Sequence, residues 1–426
     1  MKKLVVLFSV IVFFIEGMTD TGQAQDQVNT SQSYKDYIKT VDLRLEGDER
    51  SYPVIRLNSA DQLKLTFDDL TADQKNYQYT VVHCNAYWQT SAIETWEYIE
   101  GYETDLIEDF ETSIGTATPY THYSLVFPNR YLRITKSGNY LLQVFTWNEN
   151  DEKDMAFTQR FMVLENKASV EGRIEKRFPE GDESGYLQAV SSSIQPRGIQ
   201  IINPDENLKV ILRQNRRWDN AITNLKPTSV RPDRIEYDPL QGNSFISGNE
   251  YRNFDIKDLR NRTEQVKYIE STPEGYMVLL HPDERRTFKQ YITEEDLNGL
   301  RLIRTELNKD PQTEGDYAYV NFRLPYDYPI GIGDLYLIGE LTGWQLSLEG
   351  KMTYDFKQKA YTNNLLLKQG YYEYLYAFVP NESSKGKVNL IEGNHFETEN
   401  EYSIFVYYHE PGTDYDRLIS FTVISK

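Results

Sequence analysis

Three observations predict an all-β chain of tandem antiparallel sandwiches of the immunoglobulin-like kind. Apolar and polar residues alternate with a period of two in many short runs. Asp, Asn and Gly turns separate those runs. Aromatics make up 13% of the chain, 33 of them Tyr, which supplies large side chains for a core although hydrophobic residues reach only 39%. β-branched and aromatic residues suit a pleated, half-buried surface, and short strands between regular turn signals indicate a sandwich.

The first segment is not part of that pattern. Met1-Lys2-Lys3 is positive, Leu4 to Ile15 is apolar and uncharged, and Gly22-Gln23-Ala24 offers small residues at the −3 and −1 positions. The run is shorter than the ~18–20 residues that span a bilayer. Residues 1–24 therefore read as a secretory signal peptide cut between Ala24 and Gln25. The segment has no cysteine to carry a lipid, and Cys84 is the only cysteine in the chain. An exported protein with one cysteine has no intramolecular disulfide, so stability must come from burial, and the periplasm is the expected compartment. No second long apolar run follows, so no membrane-spanning helix is expected.

Strands follow in order. Leu63, Leu65 and Phe67 alternate with polar neighbours, as do Tyr77, Tyr79, Val81 and His83. Tyr140 to Phe145 follows a Ser137-Gly138-Asn139 turn, where a Tyr is placed to tie down the corner before a late sandwich strand. Phe157 to Leu164 closes a first domain, residues 32–165. A second boundary is expected in the polar stretch Lys309 to Gly315, giving a middle β-rich domain (166–312) and a C-terminal sandwich (313–426). The middle piece contributes strands at Leu208–Leu212, Tyr276–Leu280 and Leu300–Leu307. It also contributes a short helix at Thr293–Leu297, with Thr293 as cap and acids in the first turn. The third contributes Tyr317–Phe322, Leu335–Ile338, Tyr371–Phe378, Ser403–Tyr408 and Leu418–Ile424.

Charge separates the three pieces. The whole chain carries −19; residues 32–165 hold 12 basic and 22 acidic residues, 166–312 hold 23 and 24, and 313–426 hold 9 and 16. Such a balance repels phosphate backbones and excludes nucleic acid as a partner. Half of the basic residues lie in the middle piece, clustered at Arg213/Arg216/Arg217, Arg231/Arg234, Arg260/Arg262, Arg285/Arg286 and Arg301/Arg304. Internal pairing with the acids around them is the favoured reading, over capture of an anionic partner.

No catalytic or metal constellation emerges. The five histidines, His83, His122, His281, His395 and His409, lack metal-ligand spacing, and His83-Cys84 are strand neighbours that point to opposite faces. They read as packed or hydrogen-bonded side chains, and Cys84 as a buried thiol. Carboxylates from Glu94 to Glu111 are too numerous for any pair to stand out as a glycosidase dyad. They describe an anionic loop in which Trp96, Tyr98 and Tyr102 provide aromatic contact. Those three, with Arg216, Arg217 and Trp218 of the middle piece, are the candidate partner-binding residues. No cofactor is implied.

In the third piece, Gly339-Glu340-Leu341-Thr342-Gly343-Trp344 and the later Gln369-Gly370-Tyr371-Tyr372-Glu373-Tyr374 resemble the early turn and a tyrosine-rich strand of glycogen- and starch-binding sandwich modules. That resemblance implies stacking of Trp344 and Tyr374 on sugar, and so an alternative role as a periplasmic glycan-binding protein.

A broader resemblance rests on longer strings. Ser51 to Ser59, Leu65 to Leu70, Tyr77 to Trp88, Pro119 to Tyr123, Ser137 to Tyr140 and Arg160 to Val163 together resemble the N-terminal domain of the type 9 secretion system plug protein family. Glu392 to Tyr402, Val406 to Tyr408 and Tyr415 to Leu418 are similar to that family's C-terminal end. Asn85 and Tyr87 depart from it, since acidic residues are expected there. The resemblance implies a non-enzymatic periplasmic protein that seats against the inner mouth of a large outer-membrane β-barrel translocon and plugs its pore when no cargo passes.

Overall fold

A computed structural model describes residues 28–178, 186–238, 242–273 and 275–426; the expected cleavage point at Ala24 and Gln25 lies outside them. The chain is nearly all β, with 48% of residues in strands and 4% in helix. The sheets are mostly antiparallel and pack into three bodies.

In the first body, Ile38–Leu45, Leu63–Asp69, Thr121–Phe127 and Asp109–Thr112 form one sheet. It faces a second sheet of Gln32–Ser33, Lys153–Leu164, Gly138–Trp147, Gln78–Cys84 and Asp105–Leu106, to which Val54–Arg56 adds in parallel. The period-two residues point as the alternation requires: Leu63, Leu65, Phe67, Tyr79, Val81, Tyr140, Leu142 and Val144 meet in one core. The run from Tyr140 to Phe145 is apolar except for Gln143 because its strand is covered on both faces. Leu141, with Cys84, Trp88 and Met162, packs outward on Ile211, Phe405, Tyr407 and Leu418.

Strand pairing crosses the boundary expected at 312/313. Leu208–Gln214 pairs with Glu401–His409, and Asp416–Ser425 lies beside it. That sheet shares a core with the sheet built on Ala168–Arg177 and Leu187–Pro196. The second body is thus made of the described residues between 168 and 246 together with 401–426. Between them is inserted the third body, which mixes strands from both expected pieces. Arg252–Asp255 and Arg301–Ile303 pair with Gly370–Pro380, and Gly275–Leu280 runs parallel to Tyr317–Pro325. Lys309 to Gly315 has the composition of a linker but forms a turn whose outer residues are exposed and whose end is anchored in the seam. Thr313 and Asp316 are buried there, and the Tyr120 hydroxyl donates to the carbonyls of Gln312 and Gly315 at 3.0 and 2.9 Å.

The helix expected at Thr293–Leu297 is absent, because neighbouring carboxylates occupy its backbone. Glu373 accepts from the amides of Leu297 (2.8 Å) and Gly299 (2.9 Å), while Asp296 accepts from those of Tyr251 (2.6 Å) and Asn298 (2.9 Å). Such side-chain acceptors compete with helix formation. Of Leu300–Leu307 only Arg301–Ile303 is strand.

The corner Tyr is in place. Tyr140 is fully buried and its hydroxyl donates to the Lys136 carbonyl at 2.9 Å. Removing that hydroxyl in Tyr140→Phe should cost about 1 kcal/mol, read as a lower denaturant midpoint with an unchanged slope; an unchanged midpoint would show that the corner bond is immaterial.

Candidate interaction surface and the seam behind it

The acidic loop begins with a one-turn helix, Thr95–Tyr98. Its start is fixed by a reciprocal cap in which the Glu97 carboxylate accepts from the Glu94 amide. The chain then runs into Ile99–Gly101, which pairs with Leu132–Ile134. Gly101 is obligatory: it lies at φ +112° and a Cβ there would collide with the Tyr131 carbonyl oxygen, which accepts from the Tyr102 amide at 2.7 Å. This ribbon leaves Trp96 76% and Tyr102 63% exposed, with Tyr102 stacked on the half-exposed Tyr131 at 6.2 Å. Glu94, Glu100 and Glu103 are exposed on the same ribbon, Glu108, Asp109 and Glu111 are exposed farther along the chain, and Arg130 lies over the Tyr131 ring at 4.5 Å. Arg133 pairs with Glu100. Large exposed aromatics within a charged rim mark an interaction surface.

The other candidates sit elsewhere. Tyr98 is buried, 5.9 Å from Tyr140 and 5.7 Å from His83 in ring-to-ring distance. Two residues along a helix is roughly half a turn, so an outward Trp96 sets Tyr98 against the core. Arg216 and Arg217 are also buried. Arg216 donates to the Ser51 carbonyl at 3.0 Å, and Arg217 pairs with Asp219 at 2.6 Å and donates to the Gly386 carbonyl at 2.7 Å. Trp218 stacks on Phe405 at 5.6 Å and meets Trp88 edge-on at 5.3 Å. This arginine cluster therefore joins the bodies of the chain and is not offered to a partner. Tyr374 is likewise core, its hydroxyl donating to Asp283 at 2.7 Å, and Trp344 packs against Tyr251, so the sugar-stacking pair is not presented together.

Sequence reasoning missed the seam itself. Asp68, fully buried, accepts from three groups: Lys368 Nζ at 2.7 Å, His122 Nδ1 at 2.6 Å and the Tyr317 hydroxyl at 2.6 Å. Burial alone would raise this carboxyl, but Lys368 and His122 outweigh it and hold it below its ordinary value. The Tyr317 hydroxyl also meets Thr40 Oγ1 at 2.6 Å. Thr40 lies at φ +51°, a costly conformation for a β-branched residue, at a bulge between Lys39 and Asp42. Nearby, Arg44 pairs with Glu340, and Asp316 accepts from the Ala117 and Thr118 amides at 2.6 and 3.1 Å. Toward the second body, Arg417 pairs with Glu165 (Nε at 3.0 Å), Asp416 accepts from Lys209 and from the Ala86 amide, and the Tyr407 hydroxyl donates to Asn139 at 2.7 Å.

His83, His122 and His409 are hydrogen-bonded and His395 packs against Tyr291, whereas His281 is exposed, contrary to expectation. His83 is buried, bridging Ser91 Oγ at 2.8 Å and the Ser137 carbonyl at 3.0 Å; burial pushes it down to about 4. Burial pushes the Cys84 thiol up to about 11, which makes it a poor nucleophile. Among the described residues no cluster could hold a metal ion, and no helix is long and apolar enough to cross a membrane.

Comparison with known proteins adds two findings. Residues 38–165 match the family described as the Type 9 secretion system plug protein 1st domain. The crystal structure of a hypothetical protein from Parabacteroides merdae is similar over 94% of this chain and 100% of its own, at 37% identity and TM-score 0.90. A C-terminal domain of a Streptococcus agalactiae AgI/II polypeptide, at 7% identity over 89% of this chain and 98% of its own, reaches a TM-score of only 0.14. No curated protein matches.

Two outcomes follow from this packing. Arg217→Glu should destabilise the chain by about 3–5 kcal/mol, since it sets two carboxylates together in a buried site; a wild-type unfolding midpoint would contradict the burial. For His83 the folded value lies below the ordinary 6.5, so the unfolded chain takes up the proton first. Its stabilising contribution is complete above 6.5 and is lost as pH falls toward about 4, by about 3 kcal/mol at most. Denaturation curves from pH 7 to 4 should therefore fall less steeply for His83→Gln than for wild type; parallel curves would refute it.

Proposed function

The chain belongs to the type 9 secretion system plug protein family, and from that membership we propose that it closes the periplasmic opening of the system's outer-membrane barrel translocon when no cargo passes. The observation that supports this reading best is mechanical. The family domain is joined to the rest of the chain by buried ion pairs and by a shared apolar core, so the three bodies make one stiff obstacle. A part that blocks a pore by occupying it needs rigidity and a reversible contact surface; it needs no reactive group. The exposed Trp96 and Tyr102, set in an anionic rim, supply aromatic anchors with long-range steering toward positive potential. A reversible seal of this kind fits an interface of roughly 1,200–2,000 Å².

The test is recovery of the barrel from outer-membrane extract on the tagged chain, with bound proteins identified by mass. The double variant Trp96→Ala, Tyr102→Ala should fold and melt like wild type yet recover the barrel at least about tenfold less well, as loss of one anchor's worth of energy implies. Undiminished recovery would move the contact surface elsewhere; absence of any large barrel from the wild-type sample would overturn the plug reading.

A further inference from the structure

A crevice of about 720 Å³ runs between the first body and the other two, lined by the edge strand Ile38–Leu45, by Tyr52, Arg160, Arg213, Arg216 and Trp218, and on the far side by Glu340 to Glu349. Its size is that of a small-molecule site. Its charge is unusual for an acidic protein. Arg160, Arg213 and Arg216 are each more than nine-tenths buried, at 8%, 5% and 8% exposure, and no carboxylate of the described residues pairs with any of them. Among the described residues the Arg160 side chain donates only to the Asn29 carbonyl, and that of Arg216 only to the carbonyls of Ser51 and Arg50. Arg213 lies over the rings of Trp218 (4.6 Å), Phe405 (5.1 Å) and Tyr52 (5.4 Å), and its Nε is buried without a hydrogen-bond partner. Asp36, which also lines the crevice, is exposed; the other acids bind other groups directly, although Glu340 and Glu401 act on Arg216 through space. Glu340 and Asp42 bind Arg44, Glu349 binds Lys39, and the nearby Glu401 accepts from the Tyr52 hydroxyl at 3.0 Å.

Burying one cation without a counter-charge is costly, and three side by side repel one another. Burial pushes the Arg160 guanidinium down to about 9 and that of Arg213 to about 10. Ring faces and carbonyls offset part of that cost, but a guanidinium presents five donors in a planar fork suited to two oxygens of one anion.

We infer that this crevice is a binding site for an oxyanion of the phosphate or carboxylate kind, held by Arg160 of the first body together with Arg213 and Arg216 of the second. Because the cations come from two bodies, a bound anion bridges them, and its binding energy adds to the stability of the joint. The site stands apart from the exposed aromatic surface and does not depend on the plugging role.

The test uses the chain without its signal segment. Its thermal midpoint is measured in phosphate, sulfate and acetate against chloride at matched ionic strength, and the wild-type crystal is soaked in selenate and located by anomalous scattering. The midpoint should rise in at least one oxyanion above the chloride control, with the strongest ligand naming the source. Calorimetric affinity for that ion should drop at least about tenfold in Arg213→Gln, and selenium should appear on the three arginines. No oxyanion-specific rise in wild type, an equal rise in Arg213→Gln, or a crevice free of selenium would each overturn the assignment. The wild-type soak decides the matter alone if Arg213→Gln does not fold.

Discussion

Asp68 holds the first body to the third, and much of the molecule's shape depends on that one carboxylate. A charge taken out of water is tolerated only where partners replace its hydration. Asp68 has an ammonium, an imidazole and a phenol, and two of the three come from a different body. The partners constrain one another. Tyr317 must stand where it reaches both Asp68 and Thr40, which requires the bulge in Ile38–Leu45 and the left-handed turn at Thr40. Strain of this kind persists only where surrounding contacts over-determine it, and the seam provides them through Arg44–Glu340, Asp316 with the Ala117 and Thr118 amides, and Tyr120 over the Lys368 ammonium at 4.1 Å.

The opposite joint is made differently. There the outer face of the first body's sheet lies on a sheet of the second, and Leu141, Met162, Phe405 and Leu418 share an apolar core. Polar bonds at its edge, such as Tyr407 to Asn139 and Arg417 to Glu165, fix the register. One joint is thus ionic and directional, the other apolar and extensive. A hinge needs small, wet, weakly packed contacts; neither joint offers them.

Local patterning was readable from sequence wherever one residue's neighbours decided its fate. The alternation at Leu63, Leu65 and Phe67, the corner at Tyr140 and the pairing of Arg217, Arg252 and Arg286 with acids follow from periodicity, turn chemistry and charge balance; Arg213 and Arg216 break that expectation. What escaped depends on distant parts of the chain. Asp68 occupies an outward position on its strand and reads as a solvated residue; only the arrival of Lys368, 300 residues later, buries it. Leu208–Gln214 finds its partner in Glu401–His409, a pairing no local pattern encodes. Thr293–Leu297 has a sound helix start, yet Glu373 takes the Leu297 amide from across the body. Tyr98 shared the loop composition of Trp96 and Tyr102, but a single turn of helix separates outward from inward, and composition does not resolve a turn.

These placements also explain where the charge of −19 is felt. Cations that could balance the surface are spent inside: Arg217 on Asp219, Arg252 and Arg286 on Glu392, and Arg213 and Arg216 of the middle piece with Arg160 of the first in the crevice. The exterior of the first body is left anionic around its exposed aromatics. A surface of that kind repels copies of itself and other acidic proteins while it is drawn toward positive potential. Specific contact then falls to the few large side chains that stand clear of the rim. The burial of the arginines and the exposure of Trp96 and Tyr102 are therefore two sides of one arrangement, in which interior charge holds the bodies rigid and exterior charge governs what may approach.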